Sequence, residues 1–346
     1  MIEHLKSGLS VSTHVGCPMS CDYCVLSVMK EFDRGPVEEQ SPDSIVGLLN
    51  KESTLFENGK TALFINNRTD PLLPSVLNST VRLLSLLRED SISSPIVIIS
   101  KFPAVKALRP YFDDLNLMYI YSYSGYRKDF NYSHLMEDLS TTNNNTPFDS
   151  RFHYLRPIIP GINDDVQSLS EIVDTFDNAG FRGSIVAGIR VNKDNVGLLD
   201  DGISYDTQHK LLSNEIMTDL RNSIISKGSK YQVYRHTSCG ISAFMHEANR
   251  LKYVNRSGHC SPSCENYNAC SNMPSVEHPT VERVIKRHLP FIKEWSYIDG
   301  TLNIFDVVNQ EHVAFLKNAL GITVTADKIC LSASELAITS KSNTNR

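Results

Sequence analysis

Cys17, Cys21 and Cys24 lie in the run Gly16-Cys17-Pro18-Met19-Ser20-Cys21-Asp22-Tyr23-Cys24 and offer three soft thiolates in one short loop. Such donors suit an iron–sulfur cluster, and three of them leave the fourth iron of a cuboidal cluster without a protein ligand. Chemistry can start at that open iron. Structural zinc wants four donors, usually in closely spaced pairs, and no second pair lies nearby. His14 is the only candidate fourth ligand in this stretch, and it falls at the end of an expected strand. Tyr23, directly before the last cysteine, adds a ring that could shield a cluster or lie against a bound nucleoside.

A second group follows far downstream, where 20, three and five residues separate Cys239, Cys260, Cys264 and Cys270. These four make a complete ligand set for an auxiliary iron–sulfur cluster or a structural zinc. The alternative assignment sets Cys239 apart as a catalytic hydrogen-atom or redox donor and leaves Cys260, Cys264 and Cys270 to bind metal with His259. Cys330 follows a strand-like patch and reads as a buried thiol.

The elements that must position these donors alternate, strand and helix, as in a mainly parallel α/β sheet. Strands are expected at residues 9–15, 61–65, 95–99, 117–123, 152–158 and 184–191. Helices are expected after the cap Ser41-Pro42-Asp43, over 74–88, from 104 and over 166–179, the last ended by Gly180. The polar run from Ser140 to Thr146 reads as a flexible loop. Six strands fit a partial barrel whose loops gather ligands at the carboxyl ends of the strands. Strands at 301–308 and 322–329 around a helix at 311–320 suggest a small α+β capping unit, and the tail after Ser332 reads as frayed. The division expected is residues 1–230 for the barrel and 231–346 for a cysteine-containing C-terminal domain.

With 346 residues, 41% hydrophobic and 21% charged, the chain has an ordinary globular composition. No run of about 18 apolar residues and no signal-peptide core occurs, so a cytoplasmic protein without membrane contact is expected. Eight cysteines then point to metal or redox chemistry rather than disulfides. A net charge of −5 counts against a duplex-binding role.

The cysteine loop resembles the signature of the radical S-adenosylmethionine (SAM) superfamily, Cys-x3-Cys-x-aromatic-Cys, with Cys17, Cys21, Tyr23 and Cys24 matching position by position. The resemblance implies a 4Fe-4S cluster that chelates SAM at its unique iron. It also implies reductive cleavage to a 5'-deoxyadenosyl radical that abstracts a hydrogen atom from the substrate. The Gly-Gly-Glu-like motif frequent in that superfamily is absent. Thr69-Asp70-Pro71 and Arg156-Pro157-Ile158-Ile159-Pro160-Gly161-Ile162-Asn163-Asp164 instead look like the spore photoproduct lyase-like branch, over residues 8–192.

On that resemblance the polar residues at the strand ends become cofactor-binding candidates. Asn67, Thr69 or Asp70 would accept from the SAM ammonium, although Asp70-Pro71 also reads as a simple turn that caps the next helix. Lys101 or Arg156 would pair with the carboxylate. Ser100 belongs to the same rim, Ser122 or Ser124 would bond the ribose, and Gly161 would let backbone approach the adenine. The expected partners are a reductant such as flavodoxin or ferredoxin and a peptide or small-molecule substrate. Modification or repair of a nucleic-acid base is the alternative within this class. Outside it stand an electron-transfer or regulatory iron–sulfur protein and a structural zinc protein.

Overall fold

The computed structural model describes residues 1–24, 26–27, 35–51, 55–199, 212–251 and 260–330. The tail after Ser332 and His259 lie outside these residues. The chain opens with β1 (Ile2–Leu5) and β2 (Gly8–Val11), an antiparallel hairpin, followed by the short pair β3 (His14–Val15) and β4 (Val37–Glu38). Then follow α1 (Pro42–Leu49), β5 (Leu63–Ile65), α2 (Leu77–Glu89), β6 (Ile96–Ser100), α3 (Arg109–Asp114) and β7 (Leu117–Ser122). The alternation continues through α4 (Leu135–Asn145), β8 (Arg151–Ile158), α5 (Val166–Asn178), β9 (Gly183–Gly188), α6 (Asn214–Ser226) and β10 (Gln232–Tyr234). Caps explain where several helices start. Ser41 Oγ accepts from Ser44 N with Pro42 in the first turn, and Asp165 and Ser213 cap α5 and α6 in the same way.

One sheet takes the order β1-β2-β5-β6-β7-β8-β9-β10, and every neighbour from β2 onward pairs in parallel. Strand order follows chain order, so the sheet winds in one direction and all its strands except β1 present their carboxyl ends on one side. β5, β7 and β9 are buried along nearly their whole length, as parallel strands covered on both faces must be. One face, with Leu63, Ile98, Tyr119 and Val186, packs on α1 to α6 through Ile45, Leu83, Leu139 and Leu169. The other face carries Phe64, Val97, Met118, Phe152, Tyr154 and Ile185 and is covered by α7 (Thr237–Phe244). Gly240 makes that approach possible, because a Cβ there would fall 2.6 Å from Ile185 Cδ1.

After α8 (Tyr267–Ser271) and α9 (His278–His288), a three-stranded sheet is built from β11 (Trp295–Ile298), β12 (Thr301–Asn309) and β13 (Thr323–Cys330), with α10 (Gln310–Leu320) between the last two. Its apolar core is separate and includes Val284, Leu302, Phe315 and Val324. Asn309 and His312 form a reciprocal cap at the start of α10, and Gly321 at φ 64° ends it. Among the described residues no helix is long and apolar enough to cross a membrane.

Three expectations change. Residues 140–145 belong to α4 rather than to a flexible loop, because their polar side chains find partners. Asn145 Nδ2 donates to Ala104 O at 3.0 Å, Asn143 Nδ2 donates to Ala179 O at 2.7 Å, and Thr142 is buried. The expected strand over 9–15 breaks after Val11, because Thr13 N donates to the Asn66 side chain at 2.8 Å instead of to a neighbouring strand. Cys330 is exposed at the end of β13, not buried.

Candidate functional site

The strand ends build the site. The cysteine loop leaves β3, Asn67, Thr69 and Asp70 follow β5, Ser100 and Lys101 close β6, and Ser122 closes β7. All of these residues line one cavity of about 180 Å³ together with Cys17, Cys21, Tyr23 and Cys24, over a floor that includes Phe64, Val97 and Ile99. The cavity therefore joins three thiols, an apolar floor and a few polar groups at the carboxyl edge of a parallel sheet, where ligands of such sheets collect.

Sequence neighbours of the cavity hold the loop in place. Asn66, at φ 51°, accepts from Thr13 N and from Thr13 Oγ1 at 2.9 Å, and its amide donates to Thr80 Oγ1 at 2.9 Å. From the far side of the sheet Asn195 Nδ2 donates to Tyr23 O at 3.3 Å and to Arg190 O at 3.1 Å. Asp129, in the segment after β7, gathers the strongest contacts. It accepts from the Tyr23 hydroxyl and from Ser124 Oγ at 2.6 Å, and its carboxylate lies 3.0 Å from Lys101 Nζ. Tyr126 meets Tyr23 edge to face with centroids 5.9 Å apart, and its hydroxyl donates to Asp22 at 3.1 Å. Asn66, Asp129 and Asn195 are site-building residues that sequence reasoning did not single out. A polar residue directly after a strand end was the available signal for the first.

Two buried polar atoms in this region have no hydrogen-bond partner. Lys101 Nζ stands close to Asp129 but off hydrogen-bond angle, and Thr69 Oγ1 has none at all. Both residues line the cavity. Thr69 Oγ1 is left to pair with a polar group of a ligand, and Lys101, already ion-paired with Asp129, brings a cation to the cavity wall.

Burial raises all three loop thiols, pushing Cys21 up to about 12, with Lys101 pulling it down. Desolvation of this size favours neutral thiols until a metal supplies compensating positive charge. Among the described residues no three cysteine, histidine or carboxylate side chains converge to hold a single metal ion. A cuboidal cluster instead spreads its thiolates over separate irons, and the soft three-donor set beside a roomy cavity fits it. His14 donates from Nδ1 to Thr13 Oγ1 at 2.9 Å and does not line the cavity.

The other candidates divide. Asp70 is fully committed to scaffolding, accepting from Ser100 Oγ at 2.7 Å, Leu72 N at 2.9 Å and Lys101 N at 2.8 Å. Ser100 spends its hydroxyl on that bond and accepts from Phe102 N at 2.9 Å. Ser124 is locked to Asp129 outside the cavity wall. Arg156 also stands off the wall, against the ring of Tyr154 at 5.3 Å, with its charge felt at Cys24. Gly161 is exposed at φ 78°, and its N–H donates to Asp164 Oδ1 at 3.0 Å.

Cys239, Cys260, Cys264 and Cys270 come together elsewhere, around a second and much smaller cavity. Cys239 and Cys264 pack against the α7-covered face of the main sheet.

No protein-family model and no curated protein matches the sequence. Among solved structures, a mutant of spore photoproduct lyase aligns at TM-score 0.52 with 11% identity, over 67% of this chain and 78% of that one. A second spore photoproduct lyase structure, with bound AdoMet and dinucleoside spore photoproduct, aligns with the same score, identity and coverage. SuiB of Streptococcus suis bound to S-adenosylmethionine reaches only 0.47 at 11% identity over 70% of this chain and 54% of that one. The chain thus has the α/β fold of the spore photoproduct lyase structures.

Proposed function

We propose that the chain is a radical SAM enzyme. Its main sheet is read as a partial (β/α)6 barrel that runs on through β10, a few residues past the boundary at 230 expected from the sequence, with the cysteine-containing domain after it. The observation that carries the reading is the single cavity that collects Cys17, Cys21 and Cys24 with the Lys101 ammonium, ion-paired to Asp129, and the unpartnered Thr69 hydroxyl. The AdoMet bound in the spore photoproduct lyase structure of like fold supports it.

In this reading Cys17, Cys21 and Cys24 would hold a 4Fe-4S cluster, which together with SAM would supply one-electron, radical-generating chemistry. The chain does the rest. Lys101 directs its protons at the amino-acid carboxylate, a charge-assisted contact. Thr69 Oγ1 and the Asn67 carbonyl oxygen accept from the ammonium, and Ser122 bonds the ribose. Tyr23, pinned by Asp129, walls the nucleoside side, and the apolar floor of Phe64, Val97 and Ile99 keeps water from the reacting carbon. Asp70 and Ser100 act one step back by fixing the turn that presents Lys101.

For the substrate we favour a peptide or small metabolite, consistent with a net charge of −5. The second reading, a nucleic-acid base, draws on the dinucleoside in the neighbouring fold's structure. Retention on oligonucleotides that weakens with salt would favour the second over the first. A low-potential reductant such as flavodoxin or ferredoxin and a cytoplasmic setting complete the proposal. Anaerobic reconstitution followed by dithionite and SAM tests it: 5'-deoxyadenosine should accumulate. Full cluster loading without SAM cleavage would overturn it in favour of an electron-transfer or regulatory protein.

A further inference from the structure

The second cysteine group converges from three places in the chain. Cys239 sits in the first turn of α7, Cys260 and Cys264 flank a turn closed by Cys264 N donating to Ser261 O at 3.0 Å, and Cys270 lies on α8. All four line one cavity with Asn249 and Tyr267. A lone zinc needs its sulfurs about 2.3 Å from one point, and among the described residues no three donors converge in that way. A four-iron cluster gives each sulfur its own iron and fills the middle with sulfide.

The surroundings bring hydrogen-bond donors to two of the sulfurs and a cation near the group. Asn249 donates twice, from its backbone N–H to Cys270 Sγ at 3.2 Å and from Nδ2 to Cys239 Sγ at 3.2 Å. Its side chain is buried and also donates to Ser238 Oγ at 3.1 Å, which fixes its orientation. Arg221 of α6 brings a guanidinium whose charge is felt at Cys239, Cys260 and Cys264. Glu265, next to Cys264, ties the loop to the main sheet, accepting from the Tyr234 hydroxyl and standing 3.3 Å from Arg182. Glu265 N donates to Gln232 Oε1 at 3.4 Å.

We propose that Cys239, Cys260, Cys264 and Cys270 hold a second 4Fe-4S cluster, closed by four protein ligands, that staples α7 and the Cys260–Cys270 segment onto the sheet. Cys239 is then a ligand rather than a hydrogen-atom donor, and no iron of this cluster is open to SAM or substrate. The site stands or falls separately from the SAM chemistry.

The test is metal analysis of the full chain purified without oxygen. With Cys17, Cys21 and Cys24 all replaced by alanine, about four irons and four sulfides per chain should remain, with the broad absorbance of a cluster. Adding Cys239→Ala should remove them. Where the triple variant does not fold, Cys239→Ala in the otherwise unmodified chain should lower the iron count by about four. One zinc without iron in the triple variant, no metal there, or iron unchanged by Cys239→Ala would each overturn the proposal. A failed SAM-cleavage assay would leave these counts untouched.

Discussion

The two cysteine groups differ in number, in room and in what surrounds them. The N-terminal trio stands beside a cavity of about 180 Å³ lined also by the unpartnered Thr69 hydroxyl, whereas the C-terminal quartet surrounds about 20 Å³ and has two of its four sulfurs, Cys239 and Cys270, hydrogen-bonded by Asn249. Under the two proposals above, the difference is the one between a reactive metal centre and a structural one: the first would keep a corner and a space for a ligand, the second would spend every donor on the metal. Their supports differ in kind as well. Loops after β5 and β7 and the segment around Asn195 hold the trio by polar bonds, while the quartet rests on the apolar face beneath α7.

The largest expected effect breaks the contrast at the trio. Cys21→Ala should abolish SAM cleavage, a loss of at least about 1,000-fold, with the quartet's metal content unchanged; retained 5'-deoxyadenosine formation would remove the trio from the chemistry. Next comes Lys101→Met, which deletes a charge-assisted contact of about 1.5–3 kcal/mol and should weaken SAM retention roughly 10- to 100-fold. Equilibrium dialysis with radiolabelled SAM measures it, and an unchanged affinity would leave Lys101 a purely structural partner of Asp129.

A third prediction strikes the sheet that both groups share. His153 is buried between β7 and β9, donating from Nε2 to Tyr123 O at 2.8 Å and accepting at Nδ1 from Ser184 Oγ at 2.8 Å, with its ring stacked 3.6 Å from Phe176. Ser184 has its hydroxyl proton free for that bond because it accepts from Tyr231 Oη at 2.7 Å. Burial lowers the His153 pKa to about 3 from an ordinary 6.5. A folded-state value below the unfolded one means that the neutral ring contributes stability above pH 6.5, which is lost as the pH falls from 6.5 toward 3. The loss is about 1.4 kcal/mol per pH unit. Thermal unfolding followed from pH 7 to 4 should show that slope, and His153→Asn should flatten it.

The smallest effect sharpens the contrast. Tyr23→Phe removes one hydroxyl from Asp129 and should cost about 1 kcal/mol of stability while loosening the cluster loop. Faster loss of the trio's iron to a chelator, at unchanged quartet iron, is the readout.

Much of the fold is legible along the chain. A β-branched run at Ile96–Ser100 and an apolar, aromatic run at Leu117–Ser122 mark buried parallel strands, and Ser41-Pro42 and Gly180 mark helix ends, because such signals act within a few residues. Residues 140–145 misled because Asn and Thr favour loops locally, and only Ala104 O and Ala179 O, far along the chain, turn them into a helix. Asp70 and Ser100 read as ligand-binding groups for the same reason: their polarity is visible in the sequence, their use inside the turn is not.

Residue type and spacing alone determined the donor chemistry, since a thiolate's softness is a property of the side chain and Cys17, Cys21 and Cys24 cannot part in so short a loop. Which polar atoms remain unspent, that Asp129 anchors Tyr23, and that Cys239 joins partners more than 20 residues away were settled only by the tertiary structure. Hydrogen-bond saturation and the size of a cavity depend on groups brought together across the fold, and no local pattern encodes them.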